Sequence, residues 1–171
     1  MRDAVPVRPS TVLRIASLAL GLAALVGVTA GCGAPSSDPP RDALGRVTET
    51  ARTSAFALEV GDCTGPIDPA NNIETVDVIP CDRSHAFEVY AAHTMAEPTF
   101  PGMEEAGTVA ERECRTAFAD FVGVPNDQST YTMLYLYPTQ RSWRGQTDRQ
   151  VLCLVGRESG GVTGSLKGAK E

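Results

Sequence analysis

The chain has 171 residues, with 15 basic and 21 acidic side chains and a net charge of −6. That length suits one domain of ordinary size. The acidic balance argues against nucleic acid or anionic headgroups as partners, because both repel a negative surface.

Residues 1–31 open with Arg2, Arg8 and Arg14 against a single Asp3. The run from Ile15 to Ala30 then carries no charge. Positive charge stays on the cytoplasmic side during insertion, and the run falls slightly short of the ~20 residues of a bilayer span. Small residues, Ala30 and Gly31, precede Cys32. This order resembles a bacterial lipoprotein signal peptide over 1–31, removed before Cys32, with Cys32 as the lipidation site. Thr29 stands where that motif usually has Leu or Val. The alternative is an uncleaved transmembrane anchor, and either reading puts the domain on the extracytoplasmic face of the membrane. A diacylglyceryl group plus an N-acyl chain of palmitate type anchors firmly where a single chain is marginal. Without residues 1–31 the chain keeps 12 basic and 20 acidic residues, a net charge of −8.

Residues 32–52 are read as a flexible, lipid-anchored tether. GAPSSDPPRD after Cys32 is rich in Pro, Ser and Gly and shows no apolar period. The globular domain is expected over 53–166. Phe56, Leu58 and Val60 alternate as in a half-buried strand. GDCTGPIDPANN at 61–72 is loop chemistry. Val76 and Val78 mark a second strand that stops at Pro80. Phe87, Val89 and Ala91 mark one face of a third, in which His85 and His93 share a parity.

Apolar residues at Val109, Ala110, Cys114, Ala117, Phe118, Phe121 and Val122 recur every three or four positions. This spacing predicts an amphipathic helix between Glu104 and Val122. Thr108 with Glu111 makes a capping box if the helix starts there, and Gly123 and Pro125 end it. YTMLYLYP is apolar on both faces and reads as a central fourth strand. RQVLCLVG is a fifth, and residues 167–171 are a C-terminal tail.

Cys32 aside, four cysteines remain: Cys63, Cys81, Cys114 and Cys153. An even count in an exported chain points to two disulfides, and no C-x-x-C pair suggests a metal site. Four cysteines allow three connectivities. The preferred one staples the helix to a sheet strand through Cys114–Cys153 and closes the first loop through Cys63–Cys81. Several strands with one strong helix make an α+β domain, the helix packed on a mostly antiparallel sheet.

The series GDC at 61–63, PCDRSHAFEVYA at 80–91, FPG at 100–102, ECRTAFADFVG at 113–123, Trp143, DRQVLC at 148–153 and GSLKG at 164–168 resembles the septum-formation domain. That domain occurs in exported and membrane-anchored proteins of high-GC Gram-positive bacteria. The resemblance implies a link to cell division and supplies no catalytic residue and no cofactor. GQTDR at 145–149 stands where the family more often has a shorter Gly-Asp-Arg.

The candidate binding residues are His85, Arg141, Trp143 and Arg144. Trp143 and Arg141, with Arg144 and the tyrosines 131, 135 and 137, could stack on a cell-wall glycan or pair with peptide carboxylates. The competing reading packs Trp143 into the core. His85 with Asp82 or Glu88 could serve as a base or a metal ligand, against a structural histidine at a strand start. Ser84 beside His85 falls on the opposite face of a strand and cannot easily share its proton. Asp62, Asp68, Asn71 and Asn72 lack EF-hand spacing and read as a solvated loop. The leading expectation is therefore a non-catalytic envelope lipoprotein that binds or scaffolds an envelope protein or wall polymer. A hydrolase or a small-ligand or metal-binding lipoprotein using His85 is the alternative.

Overall fold

A computed structural model describes residues 38–171 apart from positions 69, 71 and 72. The signal segment and Cys32 lie outside the described residues. Among those described, no helix is long and apolar enough to cross a membrane.

Six strands form one antiparallel sheet: β1 Ala51–Ser54, β2 Cys63–Thr64, β3 Thr75–Ile79, β4 Phe87–Thr94, β5 Thr132–Leu136 and β6 Gln150–Gly156. Their order is β1-β3-β2-β4-β6-β5, and the sheet is curled. Helix α1, Met103–Val122, packs on β4, β6 and β5, and a short helix α2, Gln140–Gly145, joins β5 to β6. The α+β architecture expected from the sequence is the one observed, with both disulfides in the preferred connectivity, Cys63–Cys81 and Cys114–Cys153.

Each sheet face carries its own core. Val151, Cys153 and Val155 of β6 join Ala106, Val109, Ala110, Cys114, Phe118 and Val122 of α1. Leu152 and Leu154 point the other way, into a second core with Val76, Val78, Phe87 and Val89. Alternation along β6 thus divides one apolar run between two cores, which is how a strand buried on both faces reads. The Cys114–Cys153 bridge joins α1 to β6 inside the first core.

Several local expectations give way. Strand β1 stops at Ser54 and a 3-10 turn, Ala55–Ala57, follows, so Phe56 and Val60 are exposed and only Leu58 is buried. The strand β2 lies within the segment read as loop. A bulge in β4 between Val89 and Ala91 switches the parity. Phe87 and Val89 therefore face the second core while Ala91 packs with the first. Helix α1 starts at Met103 after Gly102 with no side-chain cap, and Thr108 Oγ1 instead donates to the Glu104 carbonyl. Strand β5 is an edge, not a central strand. Both its faces are apolar because Met133 and Tyr135 pack with the α1 core while Leu134 and Leu136 pack with the second core, whatever lies at its edge.

Neither end of the domain falls where composition put it. Within the expected tether, Val47 is buried and Arg41 and Val47 form a β-bridge, so the packed structure reaches back before residue 53. The expected tail is docked as well. Gly168 and Lys170 N–H groups donate to the Phe121 and Val122 carbonyls, which the end of α1 leaves without helical partners. Gly123, at φ 94°, turns the chain out of α1 in the left-handed conformation that favours glycine. Polar composition predicted disorder at both ends, but here the backbone supplies the bonds.

Candidate functional site

The GDC segment forms the first polar junction. Asp62 is 3% exposed. Its carboxylate accepts from both terminal nitrogens of Arg41, at 2.6 and 2.7 Å, and from the Glu59 N–H at 2.9 Å. A forked guanidinium–carboxylate pair is short and directional. The Asp62 carboxylate, by accepting these bonds, raises the Arg41 pKa above its ordinary value. Arg41 also donates to the Gly45 carbonyl. The pair thus fastens residues 38–50 to the domain, and Asp62 is not the solvated loop acid of the sequence reading. Nothing in the local pattern pairs Arg41 with an acid 21 residues away.

PCDRSHAFE and the C-terminal segment form the second junction. The His85 and Val162 backbones pair in both directions, at 2.9 and 3.1 Å, and the Gly164 N–H donates to the Cys81 carbonyl at 2.7 Å. His85 is 2% exposed, and its Nδ1 lies 2.8 Å from the Arg83 carbonyl, so Nδ1 carries the proton and donates. Its Nε2 is buried with no partner among the described residues. Glu88, 4% exposed, accepts from Ser165 Oγ at 2.7 Å and from the Leu166 N–H at 2.6 Å. Ser84 is exposed while His85 is buried. The role of Glu88 as anchor for GSLKG is invisible in the sequence, because the two lie 78 residues apart.

The other candidates do not gather into one site. His93 approaches Glu113 of α1 at 3.7 Å, so the bulge in β4 directs it to the helix side while Phe87 and Val89 face away. Among the described residues, no group of three or more His, Cys, Asp or Glu is placed to hold a metal ion. Trp143 is 4% exposed in α2. The Arg149 guanidinium lies 3.7 Å above its ring, and Phe100 meets it edge-on at 5.7 Å between centroids. Its face is occupied by a cation from its own chain, so Trp143 packs the core edge and offers no stacking platform. Thr139 and Ser142 cap α2 reciprocally. Thr147 of the GQTDR segment sits at φ 53°, a strained conformation for a β-branched residue. Tyr131 is covered by Arg157 at 4.9 Å, while Tyr135 and Tyr137 lie together at 6.0 Å beside α1. Arg141 and Arg144 are exposed on α2.

A groove of about 1380 Å3 runs along β5. Leu134 and Leu136 of β5, Phe56 after β1 and Ile73 before β3 line it, with Arg141 and Glu158 among its charged residues. The two ends of the curled sheet therefore border one channel. Its mixture of apolar and oppositely charged groups suits a polypeptide surface better than a small anion.

Comparison with known proteins agrees with this arrangement of motifs. The protein named "Putative lipoprotein LppN" of Mycobacterium tuberculosis is 31% identical over 124 residues, covering 70% of this chain and 68% of that protein. The protein of the same name in Mycobacterium bovis matches equally. An uncharacterized membrane protein of Mycobacterium tuberculosis is 32% identical over 105 residues, which are 54% of this chain and 22% of that protein. No solved structure matches the chain. The septum-formation family model matches residues 60–169, from the GDC junction to the docked C-terminal segment, and the chain belongs to that family.

Proposed function

We propose that this chain is a cell-envelope lipoprotein, anchored through acylated Cys32 on the extracytoplasmic face of the membrane. Its domain acts by binding or scaffolding in septum formation and not by catalysis. The family membership and the lipoprotein name of its relatives support the envelope address. The observation that carries the non-catalytic reading is how the motif residues spend their polar groups. Glu88 is committed to Ser165 and Leu166, and His85 Nδ1 to the Arg83 carbonyl. Asp62 is likewise committed to Arg41. A general base needs a free, reachable lone pair beside its substrate, and the one left on His85, at Nε2, is buried. These groups instead fasten the two ends of the chain to the sheet, which supports a binding or scaffolding role over a catalytic one.

Two variants test this reading. Cys32→Ser should lose a fatty-acid label and membrane retention, and equal labelling of variant and wild type would sink the anchor. His85→Ala should complement a deletion strain at the septum while melting at a lower temperature. The expected cost is about 1 kcal/mol for one lost hydrogen bond. A His85→Ala protein that melts like wild type yet fails to complement would move a hydrolase or metal-binding role to first place.

A further inference from the structure

Edge strands expose unpaired backbone groups, and monomeric proteins blunt them with charges, prolines, bulges or brevity. The β1 edge follows that rule: it has four residues, one of them the exposed Arg52, which pairs with Asp77. The β5 edge does not. Thr132–Leu136 contains no charge and no proline, and its pairing with β6 runs without a register shift. Among the described residues no strand lies beyond it. Every residue of β5 lines the groove.

We propose that β5 is a self-association edge and that its occupant is the β5 strand of a second copy of this chain, paired antiparallel across a two-fold axis at Leu134. The inference deepens the scaffolding reading, on which it rests, by naming a partner. The sequence of β5 is complementary to itself in this register. Leu134 meets Leu134, Met133 meets Tyr135 and Thr132 meets Leu136, with no like charges opposed. The two copies form one continuous sheet with both α1 helices on the same face.

The flanking charges supply an independent argument. Thr132 is opposite Gly156, so Glu158 lies at the Thr132 end of the strand. Arg141 follows the Leu136 end. Both are exposed and both line the groove, and neither has an ion-pair partner among the described residues. Antiparallel pairing brings the Leu136 end of one copy to the Thr132 end of the other. Arg141 then faces Glu158 of the second copy, and symmetry makes the contact twice. Anchoring on one membrane surface raises the effective concentration of the two copies.

The test is the mass of the full-length chain in a nonionic detergent, followed against concentration by analytical sedimentation. Wild type should be a reversible dimer. Arg141→Glu and Glu158→Arg should each weaken the dimer by roughly tenfold, because each reversal is counted twice. The combined exchange Arg141→Glu with Glu158→Arg should restore it. Thr132→Lys, a change at an exposed position, should give a folded monomer. A wild type that stays monomeric at every concentration overturns the proposal. So does a dimer that ignores both reversals, or a combined exchange that melts normally without restoring association. The mass is read apart from membrane retention and septal complementation, so a monomer would sink the dimer and leave the envelope reading standing.

Discussion

Replacing Glu88 with alanine tests whether the last ten residues are part of the fold. The carboxylate is 4% exposed and accepts two hydrogen bonds, from Ser165 Oγ at 2.7 Å and the Leu166 N–H at 2.6 Å. A hydrogen bond to a charged group contributes about 1.5–3 kcal/mol, and a buried donor left without an acceptor costs a similar amount. Ser165 is exposed and recovers a bond to water, whereas Leu166 is buried and its N–H does not. The expected loss is therefore about 3 kcal/mol for Glu88→Ala. Glu88→Gln should lose about half of that or less, because the amide oxygen can keep the Leu166 N–H and the amide N–H can donate to the Ser165 hydroxyl oxygen, so only the charge is lost. The measurement is urea unfolding of the oxidised full-length chain, with midpoint and slope fitted separately. An unchanged slope places the effect in the native state. Trypsin should also cut faster at Lys167 and Lys170 once the strap is loosened. A Glu88→Ala protein within about 1 kcal/mol of wild type would refute the view that Glu88 fastens the C-terminal segment.

Three further perturbations have definite outcomes. Removing the Cys114–Cys153 bridge, which closes 39 residues, should cost about 4 kcal/mol on chain-entropy grounds, against about 3 kcal/mol for the 18-residue Cys63–Cys81 loop. Paired serine variants and denaturant melts would expose a reversed order. Arg41→Ala leaves the Asp62 carboxylate buried without its cation and should destabilise by about 3 kcal/mol, whereas loss of a mere tether residue would cost nothing. A neutral Arg41→Ala would place residues 38–50 outside the cooperative fold. Burial raises the Tyr90 pKa above its ordinary 10.0, and its hydroxyl donates to the Cys114 carbonyl. A raised folded-state pKa contributes stability that is complete below 10.0 and is lost as pH climbs toward the folded value. Wild type should therefore weaken above about pH 10 more steeply than Tyr90→Phe. Parallel slopes would place the alkaline loss elsewhere.

The long periodic elements were legible because their apolar spacing is a local property. A helix ending at Gly123 follows from the recurrence of Val109, Cys114, Phe118 and Val122, and the β6 strand from its unbroken apolar run. Of the three connectivities the sequence left open, the preferred one, with Cys114 on the helix stripe and Cys153 in a strand, is the one observed. The site was far less legible. Trp143 with its neighbouring arginines spelled a binding surface, yet Arg149, six residues on, lies over the indole and closes it. His85 and His93 shared a parity until one bulge at Val89–Ala91 separated them. Arg41 and Asp62, and Glu88 and Leu166, are pairs that only chain folding brings together, at separations where no pattern survives. The sequence by itself determined the even cysteine count of the domain, the long helix and the β6 strand, because each depends on residues a few positions apart. The tertiary structure alone decided that β5 is an edge, that both ends of the domain dock, and that a groove opens between the ends of the sheet. Sheet order and curl fix these features, and both are set by contacts between distant parts of the chain.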